Sequence, residues 1–187
     1  AQSDLLTRET ADAMTRRASL GGEPRTVAAL HHFAGVALMY KAHAAEPAIA
    51  ALRRALELEP GHVDSFVRLR ILLEHTGSRD GLAALLRHRL ELEPDRAAQV
   101  ELHRLLAEHW CTVGDRDAAM QHYRAVLKLD PADVRAHAAI ADLASEHAGW
   151  QDAVSAVMAR VPLERDPNTL RTLHYRLGAL YADHDDD

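Results

Sequence analysis

The sequence predicts an all-α protein, a right-handed α-solenoid of stacked antiparallel helix hairpins with about ten helices. Three observations predict it. A phrase repeats: LELEP stands at 56–60 and again at 90–94 (90 − 56 = 34), followed by LKLDP at 127–131 and the looser PLERDP at 162–167. Self-similarity at a fixed spacing of this size marks an array of one supersecondary unit. Composition agrees, because 48% of residues are hydrophobic but only 4% are aromatic, and Ala and Leu favour helix over strand. Between the phrases, apolar residues recur at helical spacing, as in Phe66, Leu69 and Leu73, then Leu82, Leu85 and Leu86, with Gly77 separating the runs.

Taken in order, residues 4–19 read as a helix with Leu5, Leu6, Ala13 and Met14 apolar, ended by Gly21 and Gly22, so 1–22 is an N-terminal helix and linker. The array then covers 25–183, in units of about 25–60, 62–94, 97–131 and 132–166, each a helix, a turn and a second helix, with a lone or capping helix at 168–182 and an acidic tail at 184–187. Gly77, Gly114 and Gly149 fall at the turns, where a left-handed residue ends the first helix cheaply. The prolines closing each unit disfavour helix before them and preset the next one, with Asp130 and Asp166 expected as N-caps. Three extra residues, Ala97, Ala98 and Gln99, should lengthen the first helix of the third unit, while Pro162 should cut short the second helix of the fourth. A single hairpin cannot bury enough apolar area to offset its conformational entropy, so neighbours must stack. The unpaired last helix suggests a segment of a longer array.

Certain residues carry a resemblance. Ala48 and Leu52 with Ala55 and Pro60, Ala119 and Tyr123 with Pro131, and Ala153 with Val157 follow a second-helix pattern, and Leu177-Gly178-Ala179-Leu180-Tyr181 follows a first-helix pattern. Over roughly 26–183 the chain resembles the tetratricopeptide repeat family. It also departs from the pattern: Leu82 stands where a small residue is usual, and Arg89 and Val126 occupy the place held by Ala55. Looser packing is expected in the second unit. The Lys and Asn clamp by which some family members grip a C-terminal carboxylate is missing, since no Asn precedes Asn168.

The resemblance implies that the first helices line a concave groove for a peptide or a partner's helix. Carried onto this chain, the front half of that lining, where apolar and aromatic side chains gather, is Phe33, Ala37, Tyr40 and Lys41, then Val67, Arg68, Ile71, Glu74 and His75. The charged part is Glu101, Arg104 and Glu108, then Arg135 and Asp142, and finally Tyr175 and Arg176. The expected function is a non-catalytic protein–protein interaction scaffold. Phe33, Tyr40, Val67 and Ile71 would anchor the partner, and Arg104, Glu108, Arg135 and Asp142 would set its register. A rival reading has the helix at 4–19 cover the apolar part itself. Other readings are a docking or regulatory arm of a larger enzyme and, less favoured, a helical-repeat RNA binder, which Glu74, Glu101, Glu108, Asp142 and Asp183 oppose. Self-association through the unpaired C-terminal helix is a further expectation.

Several classes are set aside. A net charge of −6 with interspersed signs offers no field for nucleic acid. No apolar run approaches the ~20 residues needed for membrane insertion. No phosphate loop, dinucleotide fingerprint or nucleophile elbow is present, so no catalytic residue and no cofactor are assigned. Among thirteen histidines none lies three or four residues from another, so no metal site is assigned. Cys111 is the only cysteine and reads as a small buried or half-buried hydrophobe; Trp110 and Trp150 read as packing residues at the helix turns. The compartment is cytoplasmic by default, although a removed signal peptide would leave no trace in a chain that does not begin with Met.

Overall fold

The computed structural model describes residues 2–39, 44–145 and 149–184. These form ten α-helices: α1 Gln2–Ser19, α2 Pro24–Met39, α3 Ala45–Leu58, α4 Val63–His75, α5 Arg79–Leu92, α6 Arg96–Val113, α7 Arg116–Leu129, α8 Val134–Ser145, α9 Trp150–Arg160 and α10 Pro167–Ala182. No strand occurs among the described residues. Within Ala1–Leu92 and within Glu93–Asp187, helices consecutive in the chain pack against each other as antiparallel hairpins, the repeating element of an α-solenoid. The contacts divide the chain into two units, Ala1–Leu92 and Glu93–Asp187.

In the first unit, α1 lies on α2 through Ala11 and Ala18, and α2 and α3 form the tightest hairpin. Its closeness has a local cause. A Cβ added at Gly35 would lie 2.7 Å from Leu52 Cγ, so only glycine allows α2 to approach the fully buried Leu52, Ala48 and Ala55 of α3. One period later Leu82 and Arg89 stand in place of Ala48 and Ala55, and the α4–α5 hairpin makes far less contact. Leu82 adds three carbons against α4, and the Arg89 guanidinium sits 5.9 Å from the Phe66 ring centroid, so α5 is held away. Gly77, with φ 68°, ends α4 in the left-handed conformation.

The second unit packs α6 to α10 around Leu106, Ala107, Val126, Ile140, Val154, Val157 and Leu173. Helix α6 is 18 residues long, and α9 has 11 because Pro162 turns the chain into a short 3-10 segment at Val161–Leu163. Two expectations about punctuation are corrected. Gly149 has φ −100° and starts α9 instead of ending α8 in a left-handed turn, whereas Gly114, with φ 88°, does end α6 that way. Asp130 does not cap α8. Its carboxylate accepts the Ala132 N–H at 3.1 Å, and the chain runs on to Asp133, whose carboxylate accepts the Ala136 N–H at 2.7 Å. Asp166 does cap α10, accepting the Thr169 N–H at 2.8 Å, and Pro167 is the first residue of that helix.

Side chains also fasten hairpins at the end opposite the turn. Arg96, at the start of α6, donates from Nε and Nη2 to the Leu129 carbonyl at the end of α7, at 2.8 and 2.5 Å. Arg25 and Glu59 stand 3.8 Å apart at the corresponding place on α2 and α3.

Candidate docking faces on the first helices

In the first unit the first helices are α2 and α4, held together by a buried polar cluster. His32 Nδ1 and Ser65 Oγ share a hydrogen bond of 2.9 Å, and the Ser65 N–H donates to His62 Nδ1 at 3.2 Å as the N-cap of α4. Ser65 is fully buried, and the His32 and His62 ring centroids are 4.7 Å apart. Burial, then the neighbouring His62 and Arg68, pushes the His32 imidazole below its ordinary value, against a smaller pull from Asp64. This registers α2 on α4, and three apolar residues of these two helices are exposed. Phe33 is 54% exposed, Val67 38% and Ile71 46%.

Ala37 and Arg68 are half-buried on the same two helices. Glu74 is held by Arg70 Nη1 at 2.6 Å, and His75 is exposed. Tyr40 and Lys41 lie outside the described residues. Helix α1 does not cover the apolar group, because Phe33, Val67 and Ile71 remain open to solvent with α1 in place on α2. That exposure runs against the covering-helix reading for Phe33, Val67 and Ile71.

In the second unit most of the expected polar residues are committed internally. Arg104 bonds Glu101 on its own helix and Asp133 at the start of α8, the latter at 2.7 Å, with side-chain exposures of only 17% and 7% for Arg104 and Asp133. Burial raises the Asp133 carboxyl, but the Ala136 N–H and the Arg104 guanidinium outweigh it and hold the group below the usual carboxylate range. Arg176 on α10 reaches Asp142 on α8 at 2.6 Å. Glu108, Arg135 and Tyr175 remain outward, Tyr175 at 80% exposure. Periodicity placed Arg104, Asp142 and Arg176 on the first helices but gave no sign of these partners. Asp133 was missed because Asp130 stands next to the proline.

Other singled-out residues fall as follows. Trp150 stacks on His184 with centroids 5.0 Å apart and meets Tyr181 edge-on, filling the space between α9 and α10. Trp110 is half-buried against His109. Cys111 is exposed, not buried or half-buried, near the end of α6 and beside the Tyr123 phenol. Burial chiefly, with Cys111 and Glu108 beside it, pushes that phenol up to about 12. Among the described residues no three His, Cys, Asp or Glu side chains converge as metal ligands, and no helix is long and apolar enough to cross a membrane. His103 and His122 do meet across α6 and α7, with their Nδ1 atoms 3.0 Å apart.

Comparison with known proteins agrees with this architecture. No curated protein matches the chain. Among solved structures, that of YrrB, described as a TPR protein with an unusual peptide-binding site, is similar at TM-score 0.57 and 15% identity, covering 94% of this chain and 85% of that one. A structure of MamA is similar at TM-score 0.55 and 15% identity, over 75% of this chain and 78% of that one. PilF of Pseudomonas aeruginosa is similar at TM-score 0.54 and 13% identity, over 98% and 86%. These identities speak for the fold alone. Residues 11–162 match the tetratricopeptide repeat family, and with the helix hairpins and their repeated packing positions this match shows that the chain belongs to that family, whose members are protein–protein interaction scaffolds and generally non-catalytic.

Proposed function

We propose that this scaffold docks a peptide or helical segment of a partner protein on its first-helix faces and performs no chemistry itself. The observation that carries the reading is the exposure of Phe33 on α2 and of Val67 and Ile71, one turn apart on α4. Clustered exposed apolar side chains on a rigid support are the usual anchors of such contacts, with polar neighbours setting register. In the first unit, Ala37, Arg68, Glu74 and His75 surround the anchor; in the second, Glu108, Arg135 and Tyr175 offer a separate polar face. The peptide-binding site ascribed to YrrB supports a peptide as the occupant by analogy of fold.

Selection of displayed peptides on the full chain tests the reading. Binders should converge on sequences with a bulky apolar residue, and a Phe33→Ala, Ile71→Asp double variant with unchanged helicity should lose them at least tenfold. Equal binding by the variant would sink the anchor.

A second reading is self-association through α10, on which Tyr175 stands 80% exposed. Sedimentation of the wild type and of Tyr175→Glu at rising concentration would separate a dimer from a monomer. A docking arm of a larger enzyme fits the same faces, and RNA binding is opposed by the acidic Glu74, Glu101, Glu108 and Asp142.

A further inference from the structure

The stand-off of α5 leaves a cleft of about 360 Å³ in the first unit, on the side of the second helices and apart from the first-helix faces. Leu69 of α4 forms its floor, Leu56 of α3 one wall, and Ala84 and Leu85 of α5 the other. The lining is nearly all carbon, and the volume lies at the low end of the roughly 300–1,000 Å³ typical of small-molecule sites. The cleft follows from the sequence. Leu82 and Arg89 stand where the α2–α3 hairpin has Ala48 and Ala55, and the loosely packed α4–α5 hairpin borders the opening against α3.

Charge at the mouth selects the ligand. Arg53 reaches across Gly81, with Nη2 lying 3.0 Å from where a Cβ on that glycine would be, and the guanidinium makes no ion pair among the described residues. Glu57, at the same rim, is engaged by Arg54 at 2.7 Å, and His88 turns toward Glu91 at 4.0 Å. The uncommitted group at the opening is thus cationic, above an apolar interior.

The geometry points to a binding site for a small aliphatic carboxylate, with its hydrocarbon chain between α3 and α5 over Leu69 and its carboxylate on Arg53. Calorimetric titration of the full chain with hexanoate, octanoate and decanoate, and with decanol as the uncharged counterpart, tests it. Binding should saturate at one site and tighten about fourfold per added methylene. Arg53→Gln should weaken decanoate about tenfold and leave decanol unchanged. Ala84→Phe, at an exposed position where a ring fills the cleft without disturbing the core, should weaken both at least tenfold with unchanged circular dichroism. The Arg53 comparison stands on its own if the Ala84 variant folds poorly. Absence of saturable binding, decanol binding as tightly as decanoate to the wild type, or full decanoate affinity in folded Ala84→Phe would each overturn the site.

Discussion

Arg104→Met probes the join between α6 and the start of α8. The substitution keeps most of the apolar stem and removes the guanidinium, so Asp133 retains the Ala136 N–H at 2.7 Å but loses its 2.7 Å ionic partner. Removing one member of a buried ion pair costs about 3–5 kcal/mol, because the other charge is left uncompensated. The capping bond and the helix N-terminus still stabilise the carboxylate by about 1 kcal/mol, so the expected loss is about 2–4 kcal/mol. Both tryptophans, Trp110 and Trp150, lie in Glu93–Asp187, so urea unfolding followed by their fluorescence reports this unit directly. At a urea slope of roughly 1–3 kcal/mol per molar, the midpoint should fall by about 1–2 M. The loss should also depend on pH. A depressed carboxylate contributes stability above its unfolded value, which is lost as pH falls through the folded one. Without Arg104, Asp133 protonates at higher pH and its penalty eases on acidification, so the gap between wild type and variant should narrow from pH 7 to about 4. A loss under about 0.5 kcal/mol, or a gap constant across that range, would refute the reasoning.

Two glycines should respond with opposite sign. Gly35→Ala forces a methyl to within 2.7 Å of the buried Leu52 and should destabilise the first unit by about 1–3 kcal/mol before a small helix-propensity gain, whereas Gly178→Ala meets open space and should stabilise α10 by about 0.5–1 kcal/mol; thermal melts compare them. The first unit should weaken as pH drops below about 6.5, since His32 is held neutral in the fold and the unfolded chain takes up the proton first. His32→Gln should flatten that pH dependence, and an unaltered slope would show that His32 is not its source. Leu106→Ala, at a fully buried position, should cost about 2–5 kcal/mol in the same fluorescence assay.

The hairpins were legible because their determinants are local. Apolar spacing, Gly77 and Gly114 at the turns and Pro162 just past the end of α9 each act within a few residues, and the swap of Ala48 and Ala55 for Leu82 and Arg89 foretold the slack second hairpin. Cap assignment depended on geometry the sequence does not encode so simply. Asp130 and Asp133 are equally able caps, and the extra turn after Pro131 hands the role to the second. The candidate faces were half legible. Position on a first helix predicted the exposure of Phe33, Val67 and Ile71, but Arg104, Asp142 and Arg176 satisfy their charge on neighbouring helices 29 to 34 residues away in the chain, a distance at which periodicity says nothing about pairing.

Arg96 gives hairpin three a mechanical character. Tension drawn between the two ends of that hairpin loads the grip of its guanidinium on the Leu129 carbonyl before it loads any apolar contact deeper in. Such a charge-assisted bond resists until it parts and then offers nothing further. The open end of this hairpin is therefore latched by one surface side chain, and without Arg96 the tips of α6 and α7 should part first while the packed interior still holds.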